Sequence, residues 1–328
     1  MAAFLNRGDP LPEQDTYVDK PWSIAIFAAR ETLPELMATL GAVLAAVHKP
    51  AVIDFLVNGN EQLAVSVAER IASIPINGGM STVRVWFIAL GDKGHAWNQY
   101  IHFIQPGGQI VFFLDGYVHP DRNAFEQLET VLSASSHALG ATGVPRTGRS
   151  ALRLRNEMIQ QGGIHGNLFC LKSQTVRQIV EIGFKLPLGI YRTDSTLGAV
   201  LKFNLDPAHN DWDPTRIVVN QEASWSTRKR NWWRFSDLKN QAKRILRQAQ
   251  GSLENRAVRQ HLAIRRASPA DLPETATELV MDWVANCPDE ARKISRRNFF
   301  RYQYALKKFR QPRNWEAADV LPRLVHPG

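Results

Sequence analysis

Gln109 to Leu128 reads QIVFFLDGYVHPDRNAFEQL, and this stretch decides the fold. A turn at Pro106-Gly107-Gly108 leads in, and Ile110 to Leu114 is an unbroken apolar run ending on an acid, Asp115. Ala124, Phe125, Leu128, Val131 and Leu132 then recur at helical spacing. A continuously apolar strand belongs at the centre of a parallel sheet, buried on both faces. Ligands of such sheets bind beyond the carboxyl ends of the strands, where Asp115 is expected. A carboxylate there either caps the following turn or holds a hard divalent cation against a diphosphate.

The same alternation runs toward the N-terminus. Ser23 to Ala28 is a first strand, and Thr32-Leu33-Pro34-Glu35 is a capping box opening a helix with Leu36, Leu40, Val43 and Val47 on one face. Ala51 to Val57 is a second strand ending in Asn58-Gly59-Asn60, followed by a helix carrying Leu63, Val67 and Ile71. A third strand, Val83 to Leu90, runs into the glycine-bearing segment GDKGHAWNQ, Gly91 to Gln99, which opens another helix. Four strand–helix alternations predict an α/β fold: Rossmann-like, with a mostly parallel central sheet and helices on both faces.

Past Ala134 the pattern changes. ALGATGVPRTGRSALR is glycine-rich and basic, and reads as a strand followed by a loop. Gly166 to Lys172 reads as a buried strand and Thr175 to Ile182 as a short helix. Phe184 to Asp194 is a loop ending in an acid, before a helix over Ser195 to Leu201 and a strand over Arg216 to Asn220. A basic aromatic link, Thr227 to Phe235, leads into a helix that Gly251 is expected to stop. The remainder is helical, basic and aromatic.

With 328 residues, 44% hydrophobic and 22% charged, the chain is an ordinary globular one. It divides as a lead-in (1–22), an α/β domain (23–225) and a basic helical extension (226–328). No apolar run approaches the ~20 residues that span a bilayer, and the first residues lack the pattern of a signal peptide. Cys170 and Cys287 form neither a disulfide framework nor a metal quartet, so a cytoplasmic location is expected. The net charge of +9 is uneven: Ser224 to Gly328 holds 22 Lys+Arg against 10 Asp+Glu, the rest 18 against 21. That basic third either meets an anionic partner, such as the inner membrane face, a phosphorylated acceptor or nucleic acid, or is a solvated helical face. Nucleic acid is the least expected of these.

Five segments in order resemble the family 2 glycosyltransferases of the GT-A fold, over about Pro21 to Trp225. IAIFAARE resembles the family's first strand with its Asn-Glu or Arg-Glu pair, and LVNGN its nucleobase-contacting strand end. GDKGHAWNQ is similar to the Gly-Lys-x-x-Ala-x-Asn segment, and FFLDGYVHP stands where the family places Asp-x-Asp. PLGIYRTDSTLG resembles the loop bearing an acidic pair whose second member is the catalytic base. The resemblance implies inverting transfer of a sugar from a nucleotide-sugar donor, uridine-linked, to a hydroxyl-bearing acceptor, with Mn2+ or Mg2+ as cofactor. Two positions depart from the family: Tyr117 replaces the second acid of Asp-x-Asp, and Thr193 the first acid of the pair. The Arg230 to Arg234 segment, RNWWR, only echoes the Gln-x-x-Arg-Trp signature of processive members.

Each candidate residue has a chemical reading and a plainer one. Ala28 leaves room for a flat base, and Glu31, beside Arg30, can accept from a ribose hydroxyl; all three also suit a surface turn. Asn58 can read a base edge or serve an Asn-Gly turn. Lys93 balances phosphate charge or is solvated, and Asn98 bonds the nucleotide or fixes its own loop. His165 and Gly166 fall where the family lines the donor-sugar and acceptor pocket, and Thr193 beside them. His119 is a candidate nitrogen ligand that would join Asp115 on the cation. Asp194 is the expected general base, or else an ordinary helix-terminal acid. The alternatives to a glycosyltransferase are a non-catalytic GT-A-like binding protein and a nucleotidyltransferase. The latter wants a glycine-rich signature that AARETLPEL lacks.

Overall fold

The computed structural model describes residues 21–76, 80–146, 151–227 and 235–328, with the side chains of 235–246 excepted. Its first half delivers strand and helix in turn: β1 (Trp22–Ala28), α1 (Leu33–Ala46), β2 (Ala51–Asn58), α2 (Glu61–Ala72), β3 (Ser81–Ile88), α3 (Lys93–Gln99) with a wide turn at Tyr100–Ile104, β4 (Ile110–Asp115), β5 (Val118–Pro120) and α4 (Ala124–Ala134). There follow β6 (Gly140–Pro145), α5 (Ala151–Gln161), β7 (Leu168–Lys172), α6 (Ser173–Glu181), α7 (Thr193–Lys202) and β8 (Ile217–Thr227). Last come α8 (Phe235–Arg259), α9 (Ala276–Asn286), α10 (Pro288–Arg297), α11 (Phe299–Phe309) and β9 (Arg323–His326).

The strands make one sheet in the order β5-β8-β6-β7-β4-β1-β2-β3-β9. β3-β2-β1-β4 is parallel throughout, and β6 is parallel to β8, whereas β7, β5 and β9 run antiparallel to their neighbours. Every residue of β1 and β2 is buried, as an apolar strand covered on both sides must be. Alternate residues face opposite layers. Ile24, Ile26, Phe112 and Leu114 pack with Leu36, Leu63 and Leu128 of α1, α2 and α4. Ala25, Phe27, Val111 and Phe113 pack with Trp97, Val176 and Leu197 of α3, α6 and α7, and in the same cluster with Leu253, Leu279 and Leu306 of α8, α9 and α11.

Within that second layer Asp54 is fully buried, and a polar group there needs partners. The Arg84 guanidinium grips it through two bonds of 2.6 and 2.9 Å, and the Trp86 indole N–H adds a third at 2.9 Å.

Several boundaries differ from the sequence reading. β8 runs on to Thr227 rather than stopping near Asn220, because Ala223 and Trp225 are buried against β6. The boundary expected at 225 therefore falls inside a strand, and β9 of the expected extension closes the sheet edge on β3. α5 stands where a loop was expected. α7 begins at Thr193, so Asp194 lies in its first turn. α8 passes through Gly251: a Cβ there would sit 2.6 Å from Nε of Arg192, so the glycine admits a neighbour instead of ending the helix. Trp232 and Trp233 of the basic aromatic link lie outside the described residues. Among the described residues, no helix is long and apolar enough to cross a membrane.

Candidate active site

The carboxyl ends of β4 and β1 meet α3 and the first turn of α7 at one rim of the sheet. Gly116, just past β4, bonds back to the Phe27 carbonyl at 2.8 Å. A Cβ on Gly116 would come 2.7 Å from a Leu36 methyl, so the chain after Asp115 can press onto β1 only as glycine. Asp92 caps α3, accepting from the His95 amide at 2.8 Å. This fixes Lys93 on the first turn with its ammonium ion-paired to one oxygen of Asp115 and 5.7 Å from the Phe27 ring centroid. The Tyr117 hydroxyl donates to the other Asp115 oxygen at 2.9 Å and lies 3.3 Å from Asn167 Oδ1.

Asp194 enters from the other side. Its Oδ1 accepts from the Ser195 amide at 2.9 Å and its Oδ2 from the Gly166 amide at 3.4 Å. A Cβ added at Gly166 would find Lys93 Nζ at 3.3 Å and Asp194 Cβ at 3.7 Å. Lys93 and Asp194 thus both come up against Gly166, where a side chain would intrude on them. Beside it, the His165 amide donates to Thr142 Oγ1 at 3.2 Å and its Nδ1 accepts from the Asn167 amide at 3.2 Å. The imidazole leans on Trp225 with centroids 5.0 Å apart.

The structure brings Lys93, Asp115, Gly166 and Asp194 together, with Thr193 and His165 adjoining. It engages other candidates with backbone partners of their own. Asn58 is buried and its amide donates to the Ala28 carbonyl at 2.9 Å, tying the ends of β1 and β2. Asn98 donates to the Leu186 carbonyl at 2.9 Å and accepts the Leu186 amide at 2.8 Å, which is the loop-fixing alternative. Glu31 folds back onto the amides of Ala29 and Arg30 at 2.8 and 3.0 Å, as a turn does. Arg30 is exposed at that turn. His119 lies on β5 with its backbone opposite Ser226.

Among the described residues, no three His, Cys, Asp or Glu side chains converge as a metal-holding group. The donor set at Asp115 does not make an all-protein cage. It fits a cation that takes most of its oxygens from phosphate and water, as Mg2+ does with one or two carboxylates.

Behind Asp194 is a layer that sequence reading missed. Glu254 of α8 accepts the Tyr191 amide at 3.0 Å and the Arg192 amide at 3.0 Å, directly before α7. Its burial pushes the carboxyl up to about 7, against the pull of those amides and of Arg192 and Arg313. Asp92 also takes the Gly189 amide at 3.1 Å, and burial raises its pKa, opposed by its amide donors and by Arg313. The Leu188 amide and carbonyl bond Glu274 and Ala276 at 2.7 and 2.9 Å. The loop that presents Asp194 is therefore clasped by α3 on one side and the C-terminal helices on the other. Asp92 carried a local signal, an acid just before a helix start. Glu254 carried none.

No protein-family model matches the chain, and no curated protein does. Solved structures match in fold. A mannosyltransferase from Pyrobaculum calidifontis, in complex with GDP-Man and Mn2+, is 14% identical, with 88% of this chain and 84% of that chain covered at a TM-score of 0.54. Glucosyl-3-phosphoglycerate synthase from Mycobacterium tuberculosis, with Mn2+, UDP-Glc and phosphoglyceric acid, is 14% identical over 78% and 84% at 0.43. S. aureus TarS with UDP-GlcNAc is 10% identical over 88% and 80% at 0.47. The chain has the GT-A fold.

Proposed function

We propose that this chain is an inverting glycosyltransferase that moves a sugar from a nucleotide-sugar donor, a uridine-linked one first among candidates, to an acceptor hydroxyl. One observation carries the reading: Lys93, ion-paired to Asp115, and Asp194, remote from it in sequence, both come up against Gly166. The GT-A fold, shared with a mannosyltransferase solved with GDP-Man and Mn2+, supports it.

Asp194 takes the acceptor hydroxyl's proton as that oxygen attacks the anomeric carbon. The bond from that carbon to the diphosphate oxygen breaks, and the nucleoside diphosphate leaves with the electron pair. The Lys93 ammonium, freed from its pairing with Asp115, offsets the leaving charge. Asp115 would hold a divalent cation together with diphosphate oxygens, and such an ion adds positive charge against the same leaving group. His165 and Gly166 form the wall beside the reacting sugar. The proposed setting is cytoplasmic.

The test is release of free nucleoside diphosphate from a panel of UDP- and GDP-sugars, with and without Mn2+. Asp194→Asn and Asp115→Asn are each expected to lower turnover at least ~100-fold, the scale of a lost general base or charge-stabilising group, while the melting temperature holds. A second reading is a binding protein without turnover. It is favoured by the engagement of both Asp115 oxygens, with Lys93 and Tyr117. Donor-induced thermal stabilisation with no nucleotide released from any sugar would establish that reading instead.

A further inference from the structure

The C-terminal helices carry a surface that the transfer chemistry does not use. α10 ends at Arg297 and α11 begins at Phe299, so the chain turns a corner at Asn298. Phe299 and Phe300 stand out from that corner, 56% and 85% exposed, with centroids 5.7 Å apart and edge to face. Lys293, Arg296 and Arg297 on the end of α10 and Arg301 on the start of α11 flank them in sequence, all exposed, and among the described residues none makes an ion pair. The nearby acids are engaged: Asp289 with Arg292, and Glu290 with Arg256. A cavity of about 440 Å³ opens beside the corner, between α8 and α10, walled by Ser252, the Arg256–Glu290 pair, Lys293, Arg297 and Asn298. Among the described residues, the buried Nε of Arg256 finds no hydrogen-bond partner.

We propose that this corner docks the protein on an anionic phospholipid membrane. A headgroup phosphate enters the mouth of the cavity, where Lys293 and Arg297 neutralise it and Ser252 and Asn298 donate to its oxygens, while Arg256 stays paired with Glu290. Phe299 and Phe300 sink to the boundary between headgroups and acyl chains, while the arginines stay level with the phosphates. Charge complementarity selects this occupant. A second copy placed face to face would set arginines against arginines. Single-stranded nucleic acid would want flat, parallel ring platforms, and these two rings are 79° apart. Two aromatic rings exposed amid uncompensated cations are what a peripheral membrane site combines.

The experiment is flotation of the full chain with vesicles of phosphatidylcholine alone, or mixed with phosphatidylglycerol, at two salt concentrations. The mixed vesicles are expected to bind and the neutral ones not, and added salt is expected to weaken binding. Phe299→Ser/Phe300→Ser and, separately, Arg296→Glu/Arg297→Glu are each expected to weaken binding at least ~10-fold. Both variants should melt as the parent does and leave cleavage of soluble donor unchanged. The proposal is overturned if the parent ignores the mixed vesicles or binds both kinds equally. It is also overturned if both variants bind like the parent, which would move docking to another segment. Saturation by inorganic phosphate or an oligonucleotide without vesicle binding would overturn it too, in favour of a soluble anion.

Discussion

Glu254 shows how a residue outside the reacting cleft can set conditions for it. Its carboxyl holds the two amides that precede α7, and burial lifts its pKa from 4.5 to about 7. Between those values the folded chain keeps a proton that the unfolded chain has lost. Folded stability is therefore fully present below about 4.5 and declines as pH rises toward 7, by on the order of 3 kcal/mol. Glu254→Gln keeps an acceptor for those amides without the buried charge. Urea unfolding of this variant between pH 5 and 8 should show a distinctly flatter stability profile than the parent. Equal slopes would assign the pH dependence to other groups. Glu254→Ala removes the acceptor altogether, and turnover should fall with it because Asp194 loses its anchored approach.

At the scale of elements, Gly251 separates local propensity from packing. In an exposed helix, glycine to alanine gains about 1 kcal/mol. Here the added methyl would meet Nε and Cγ of Arg192 at 2.6 and 2.8 Å, and Arg192 opens α7. Gly251→Ala is therefore expected to destabilise by about 1–3 kcal/mol and to slow turnover; a raised melting temperature would contradict this packing argument. The same contrast explains what the sequence made legible. β1, β2 and β4 are apolar enough to declare a doubly covered sheet, and Asp115 and Asp194 stand at strand and helix ends where chemistry is expected. α5 was illegible because only Met158 of its residues is buried, so it shows no apolar stripe. For Asn58 and Asn98 the sequence leaves a ligand role and a turn or loop-fixing role both open, because turn-forming amides and ligand-binding amides look alike until their backbone partners are seen.

For the whole molecule, the question is whether residues 226–328 are an appendage. Leu253, Ala257, Leu279, Val280, Trp283, Leu306 and Phe309 lie in the same cluster as Phe27, Phe113 and Trp97 of the sheet and α3. β9 covers the outer edge of β3, whose sequence STVRVWFI is the kind that pairs with other chains when bared. Composition marks the C-terminal third as different, yet composition reports on its solvent face and says little of the face it buries. A chain cut after Thr227 would leave α3, α6 and α7 as the only cover left on one face of the sheet among the described residues, bare the apolar surface they share with α8, α9 and α11, expose the β3 edge, and strip Glu254 and Glu274 from the loop that presents Asp194. Such a fragment is expected to aggregate or to elute as an expanded species binding an apolar dye, and to release no nucleotide. Size-exclusion chromatography with a melting curve tests this directly. A monomeric fragment with a sharp cooperative transition would mean that the sheet and its N-terminal helices carry their own stability, and that the C-terminal helices act only on the loop.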